Sequence, residues 1–165
     1  MLFRSRGPQR LAARPDIPWL ARLIYARILV PLEHSPADDT ILAHVRGLAK
    51  RLGSAVVLIH VADGWVARNI KELELRESEE MRDDRAYLEE VSARLEAEGL
   101  DVDAVLAAGD PAKEIAAAAE RERCDLIAMA THGHRLLEDV VKGSTATALR
   151  HQTKIPILMV RAEKK

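Results

Sequence analysis

The chain is poor in the features that most often announce a function. Aromatic residues make up 3% of its 165 positions, too few to stack the bases of a single-stranded nucleic acid. Its 25 basic and 26 acidic side chains leave a formal net charge of -1, so there is no electrostatic footprint for a polyanion, and nucleic acid is not expected as a partner. One cysteine, Cys124, excludes an intramolecular disulfide framework and suits a reducing cytoplasm. Lying between a charged helix end and a strand, it reads as a small buried residue. No apolar run is long enough for a membrane span or a secretory signal. Gly-x-Gly-x-x-Gly and Gly-x-Ser-x-Gly are both missing, and Lys142 precedes Gly143 where a Walker A lysine would follow it. Dinucleotide-fingerprint, P-loop and serine-hydrolase chemistries therefore have no anchor.

What is present is a regular alternation. Hydrophobic residues at 48% supply the core of one domain. Residues 1–26 stand apart from it: Arg4, Arg6, Arg10, Arg14 and Arg22 face one acid, Asp16, and Pro8, Pro15 and Pro18 interrupt any early helix. That composition is shared by transit peptides, but a cytoplasmic extension is the simpler reading. Trp19, Leu20, Leu23 and Ile24 fall on one helical face that could dock on this domain or on a neighbour.

From Arg27 onward, strands and helices take turns. Ile28–Leu32 reads as a buried strand, and Ser35–Pro36 before Asp38–Asp39 reads as a helix start. Ile41, Leu42, Val45, Leu48, Ala49 and Leu52 recur at helical spacing up to Gly53. Ala55–Val61 is apolar on both faces, as a central parallel strand must be. A long charged segment, 66–98, carries an apolar stripe of Ile70, Leu73, Met81, Leu88, Val91 and Leu95 and stops at Gly99. Val102–Ala107 gives a third strand, Asp110–Pro111 caps a third helix, and Asp125–Ala130 makes the fourth strand. A fourth helix follows Gly143, and Ile155–Val160 closes the chain as a fifth strand. The pattern predicts an α/β fold: a doubly wound, five-stranded, mostly parallel sheet with helices on both faces. Ligands of such sheets sit beyond the carboxyl ends of the strands, where the strand order switches. Glu33–His34, Val61–Ala62–Asp63 and the loop after the fourth strand should meet there.

That loop carries the most specific signal. Ala130-Thr131-His132-Gly133 is followed, nine residues later, by Gly143-Ser144-Thr145 at the start of a helix. Glycines that let backbone approach closely, free N–H groups at a helix start and the hydroxyls of Ser144 and Thr145 together suit a phosphate. The simpler reading is a surface loop whose Ser144 caps the next helix. The stretch resembles the universal stress protein family, whose nucleotide-binding members carry Gly-x2-Gly-x9-Gly-Ser/Thr after the fourth strand. Gly133, Gly143 and Ser144 match, and Ala130 stands where the first glycine belongs. The resemblance covers residues 27–161 and implies a universal stress protein domain over 27–165, of the adenine nucleotide alpha hydrolase-like type, behind the 1–26 extension.

The resemblance implies binding of ATP, with or without Mg2+, or of another adenine nucleotide. The site it implies comprises Pro31, Leu32, Glu33, Val61, Met129, Ala130, His132, Gly133, His134, Gly143, Ser144 and Thr145. Glu33 stands where the family places an Asp toward the nucleoside, so two departures fall at the nucleoside end while the phosphate end is intact. Catalysis has little to rest on, because no residue set supplies a held metal, a cation on the leaving phosphates and an orienting group. Glu33 or Asp63 could help hold Mg2+, and Lys142 or His134 could reach phosphate, but each is more simply a surface polar residue; an enzyme is not expected, and at most slow ATP hydrolysis. A zinc site from His132, His134 and His34 is the weaker alternative. The expectation is a cytoplasmic, adenine-nucleotide-binding homodimer acting as a stress-response or regulatory module. The alternative is a structural or partner-binding homodimer with a vestigial pocket. In either case the fifth strand, apolar and at the sheet edge, is the expected dimer contact, and Leu158→Lys is expected to break it.

Overall fold

The computed structural model describes residues 3–6, 25–62, 79–131 and 145–162. Among these, β1 is Phe3–Arg6, β2 Arg27–Leu32, α1 Ala37–Leu52, β3 Ala55–Ala62 and α2 Glu79–Ala97. They are followed by β4 Val102–Ala108, α3 Pro111–Arg121, β5 Leu126–Thr131, α4 Thr145–Gln152 and β6 Ile157–Arg161. The sheet order is β1-β4-β3-β2-β5-β6. The five expected strands, β2 to β6, all run parallel. A sixth strand was not foreseen: β1, from the arginine-rich arm, pairs antiparallel with β4 from Phe3 opposite Leu106 to Arg6 opposite Asp103. Trp19, Leu20, Leu23 and Ile24, and the stripe residues Ile70 and Leu73, lie outside the described residues.

Helices cover both faces, which is why the central strands are apolar throughout. Ile28, Val30, Val56, Leu58 and Leu106 face α1 and α2, meeting Ile41, Val45, Met81, Leu88, Val91 and Leu95. Leu29, Val57, Ile59, Val105 and Ile127 face α3 and α4, meeting Ala112, Ile115, Ala119 and Leu149. Gly53 ends α1 at φ 72, with its N–H on the carbonyl of Ala49, and α3 opens with Asp110 accepting the Lys113 N–H at 3.0 Å. No described helix is long and apolar enough to cross a membrane.

Charge fixes the amino end of the sheet. The Asp125 carboxylate accepts the N–H groups of Ala26 and Arg27 at 2.8 and 2.9 Å, which sets β5 beside the start of β2. The Arg27 guanidinium pairs with Asp103 on β4 and lies 3.6 Å from Glu122 after α3. Cys124 is buried beside them, and burial pushes its thiol up to about 12 against the pull of Arg27.

Candidate nucleotide site

Since β2 sends its chain to β3 on one side and has β5 on the other, the strand order switches between β2 and β5. A crevice of about 760 Å³ opens there at the carboxyl ends of the strands. Pro31, Leu32, Glu33 and His34 line it from β2 and the turn beyond, Ile59 to Ala62 from β3, and Met129 and Ala130 from β5. Pro111 and Ile115 of α3, Thr145 of α4, Asp38 of α1, and Asp83 and Asp84 of α2 complete the wall. A volume of this size is in the range that accommodates a nucleotide-sized ligand, with apolar flanks for a flat ring and polar groups to orient it.

The expected site therefore comes together in part. Pro31, Leu32, Glu33, Val61, Met129, Ala130 and Thr145 all line the crevice. Ala130 also packs against the core on the α1 side, so its methyl group belongs to both the core and the crevice rim. His132, Gly133, His134, Gly143 and Ser144, with Asp63 and Lys142, lie outside the described residues. Ala130 and Thr145, which flank that loop in the sequence, both stand on the crevice wall.

Sequence reasoning missed the floor of the crevice. Asp38 is a first-turn acid, as expected, but its side chain turns back under the loop and is 2% exposed. It accepts the Glu33 and Ser35 N–H groups at 3.0 and 3.1 Å and the Tyr87 hydroxyl at 2.8 Å. Those bonds hold the turn in which His34 takes a left-handed conformation, φ 56. Burial, followed by the bond to Asp38, pushes the Tyr87 phenol well above its ordinary range. The Tyr87 ring stacks on His34 with centroids 4.1 Å apart. Asp84, one helical turn before Tyr87, meets two histidines, with Oδ1 3.1 Å from His34 Nδ1 and Oδ2 3.2 Å from His60 Nε2. His34 is thus engaged by α2. Among the described residues, no group of three or more His, Cys, Asp or Glu side chains is arranged to hold a metal ion. The signal for this floor was available in the sequence: Asp84 interrupts the helical stripe of Met81, Leu88, Val91 and Leu95, and His60 shares a strand face with Val56 and Leu58.

The family model described as the universal stress protein family matches residues 24–161. The chain belongs to that family. A universal stress protein of Methanocaldococcus jannaschii is 30% identical over 151 residues, covering 86% of this chain and 85% of the relative. The solved structure of another universal stress protein of that organism superimposes with a TM-score of 0.67 at 27% identity, covering 86% of this chain and 99% of its own. Two more distant universal stress proteins share the fold. One, solved with cAMP, has a TM-score of 0.64 at 16% identity, covering 84% of this chain and 98% of its own. The other, from Archaeoglobus fulgidus and solved with dAMP, has a TM-score of 0.60 at 17% identity, covering 82% of this chain and 98% of its own.

Proposed function

We propose that this universal stress protein binds ATP, with or without Mg2+, or another adenine nucleotide, and acts as a cytoplasmic stress-response or regulatory module. The observation that carries the reading is the crevice at the strand-order switch, whose wall includes residues on both sides of the Gly133-x9-Gly143-Ser144 loop. The relatives solved with cAMP and dAMP support it. The base would lie among Leu32, Ile59, Val61 and Met129, and the phosphates on the backbone N–H groups near Gly133, Gly143 and Ser144. Calorimetry with ATP tests this reading: Gly143→Val should abolish binding and leave the fold intact, because a branched side chain blocks close backbone approach. Equal affinity in both proteins would refute it. Ala130 and Glu33 favour a second reading, a vestigial pocket. Under the first reading, Ala130→Gly with Glu33→Asp tightens binding; unchanged or weaker affinity supports the second.

The same proposal includes a homodimer through β6. That strand forms a sheet edge, and Met159 on it is 58% exposed, whereas Leu158 and Val160 pack toward the core. Leu158→Lys would therefore damage the fold as well as an interface. Met159→Lys is the cleaner probe and should give a monomer by light scattering. A monomeric unmodified protein at micromolar concentration would rule the dimer out.

A further inference from the structure

The crevice floor presents His60 with more acceptors than a neutral ring can serve. Its Nδ1 lies 2.9 Å from the Leu32 carbonyl oxygen and its Nε2 3.2 Å from Asp84 Oδ2. A neutral imidazole has one N–H, so one of these contacts would set a lone pair against an oxygen; the doubly protonated ring donates to both. The His60 side chain is 12% exposed and that of Asp84 9%, so little water is available to mediate. The other oxygen of Asp84 is hydrogen-bonded to His34 Nδ1 at 3.1 Å. The described charged and titratable groups that share the crevice and its floor with the ring are Glu33 and His34 beyond β2, Asp38 on α1, and Asp83, Asp84 and Tyr87 on α2. No lysine or arginine among the described residues lines the crevice. Among the described residues, a proton on this cluster would be the positive charge facing a wall that carries Glu33, Asp38, Asp83 and Asp84.

We propose that nucleotide binding is coupled to proton uptake by the His34–Asp84–His60 cluster, so that the protein reads pH together with nucleotide. The inference rests on the crevice being a nucleotide site. Its sign follows from two features. An anionic ligand entering a wall of carboxylates is repelled less when the cluster holds its extra proton. The proton also completes the bonds by which Asp84 ties α2, and with it Asp83, to β3 and to the turn after β2. Because linkage is reciprocal, a nucleotide that prefers the protonated cluster strengthens proton binding by the same factor.

The test is ATP calorimetry on the full chain at about pH 5.5, 7 and 8.5, in pairs of buffers with different ionisation heats, beside Asp84→Asn. An asparagine there offers N–H to a neutral His60 Nε2 and oxygen to His34 Nδ1–H, closing the hydrogen bonds without the proton. The titration of ATP's own phosphates is common to both proteins and cancels in the comparison. The unmodified protein should lose roughly tenfold in affinity across that range beyond any loss in the variant, and should take up protons on binding. Parallel pH profiles, or binding without proton uptake, would overturn the coupling while leaving the nucleotide reading standing. No ATP binding at any pH would overturn the nucleotide reading and the coupling with it. Should Asp84→Asn fail to fold, His60→Gln, which donates to Asp84 without titrating, carries the same expectation.

Discussion

At the amino end of the parallel strands Arg27 answers Asp103 and Glu122, and Asp125 takes two backbone N–H groups, whereas at the carboxyl end Glu33, Asp38, Asp83 and Asp84 line a crevice that no described lysine or arginine enters. One end joins three elements by charges closed on each other. The other holds its acids with histidines, a phenol and backbone N–H groups. The first arrangement fixes register and offers nothing to a ligand. The second keeps its shape by hydrogen bonds and leaves Glu33, Asp38, Asp83 and Asp84 facing the crevice.

The largest expected effect breaks the closed end. Arg27→Ala takes the guanidinium from Asp103, whose side chain is 14% exposed, and leaves buried Glu122 with Arg121 at 3.6 Å; it should cost about 3 kcal/mol in urea unfolding. A loss under about 1 kcal/mol would show that the network is not structural. At the crevice, Asp38→Ala strands the Glu33 and Ser35 N–H groups and the Tyr87 hydroxyl; about 2 kcal/mol should be lost, and ATP affinity should fall with it. An unchanged unfolding midpoint would contradict this. Tyr87→Phe sharpens the comparison, since it deletes one hydrogen bond but keeps the ring on His34; roughly 1 kcal/mol is expected. The smallest effect near neutral pH belongs to Cys124. Its folded thiol is pushed up to about 12 from 9.0, so both states keep the proton below 9.0 and the thiol contributes nothing there. As pH rises from 9.0 toward 12 the unfolded chain loses that proton first, and stability declines. Cys124→Ala should therefore soften alkaline unfolding and leave the neutral midpoint nearly unchanged; identical alkaline profiles would refute this.

The five parallel strands and four helices were legible because each repeats its apolar period long enough to outweigh local noise. Ends were less so. The last strand begins at Ile157 rather than Ile155, because Pro156 has no N–H for the ladder and contributes only its carbonyl, to the Ile127 N–H. Phe3–Arg6 has no strand signature of its own; its conformation comes from the free edge of β4. The apolar walls of the crevice followed from strand ends and family spacing. The floor did not, because Asp38, His60, Asp84 and Tyr87 come from three elements and meet only after folding. A side chain's exposure was also beyond reach of composition: alternation along β6 turns Leu158 inward and Met159 out.

Strand β1 sets a limit on how far copies of this chain can stack. A sheet with two receptive rims could add neighbours at both and grow without end. Here the rim beyond β4 is occupied by a four-residue strand, Phe-Arg-Ser-Arg, while no described strand pairs with β6 beyond β5. Among the described residues β6 is the rim left unpaired, so a pairing through it would use up that rim on each copy and stop at two.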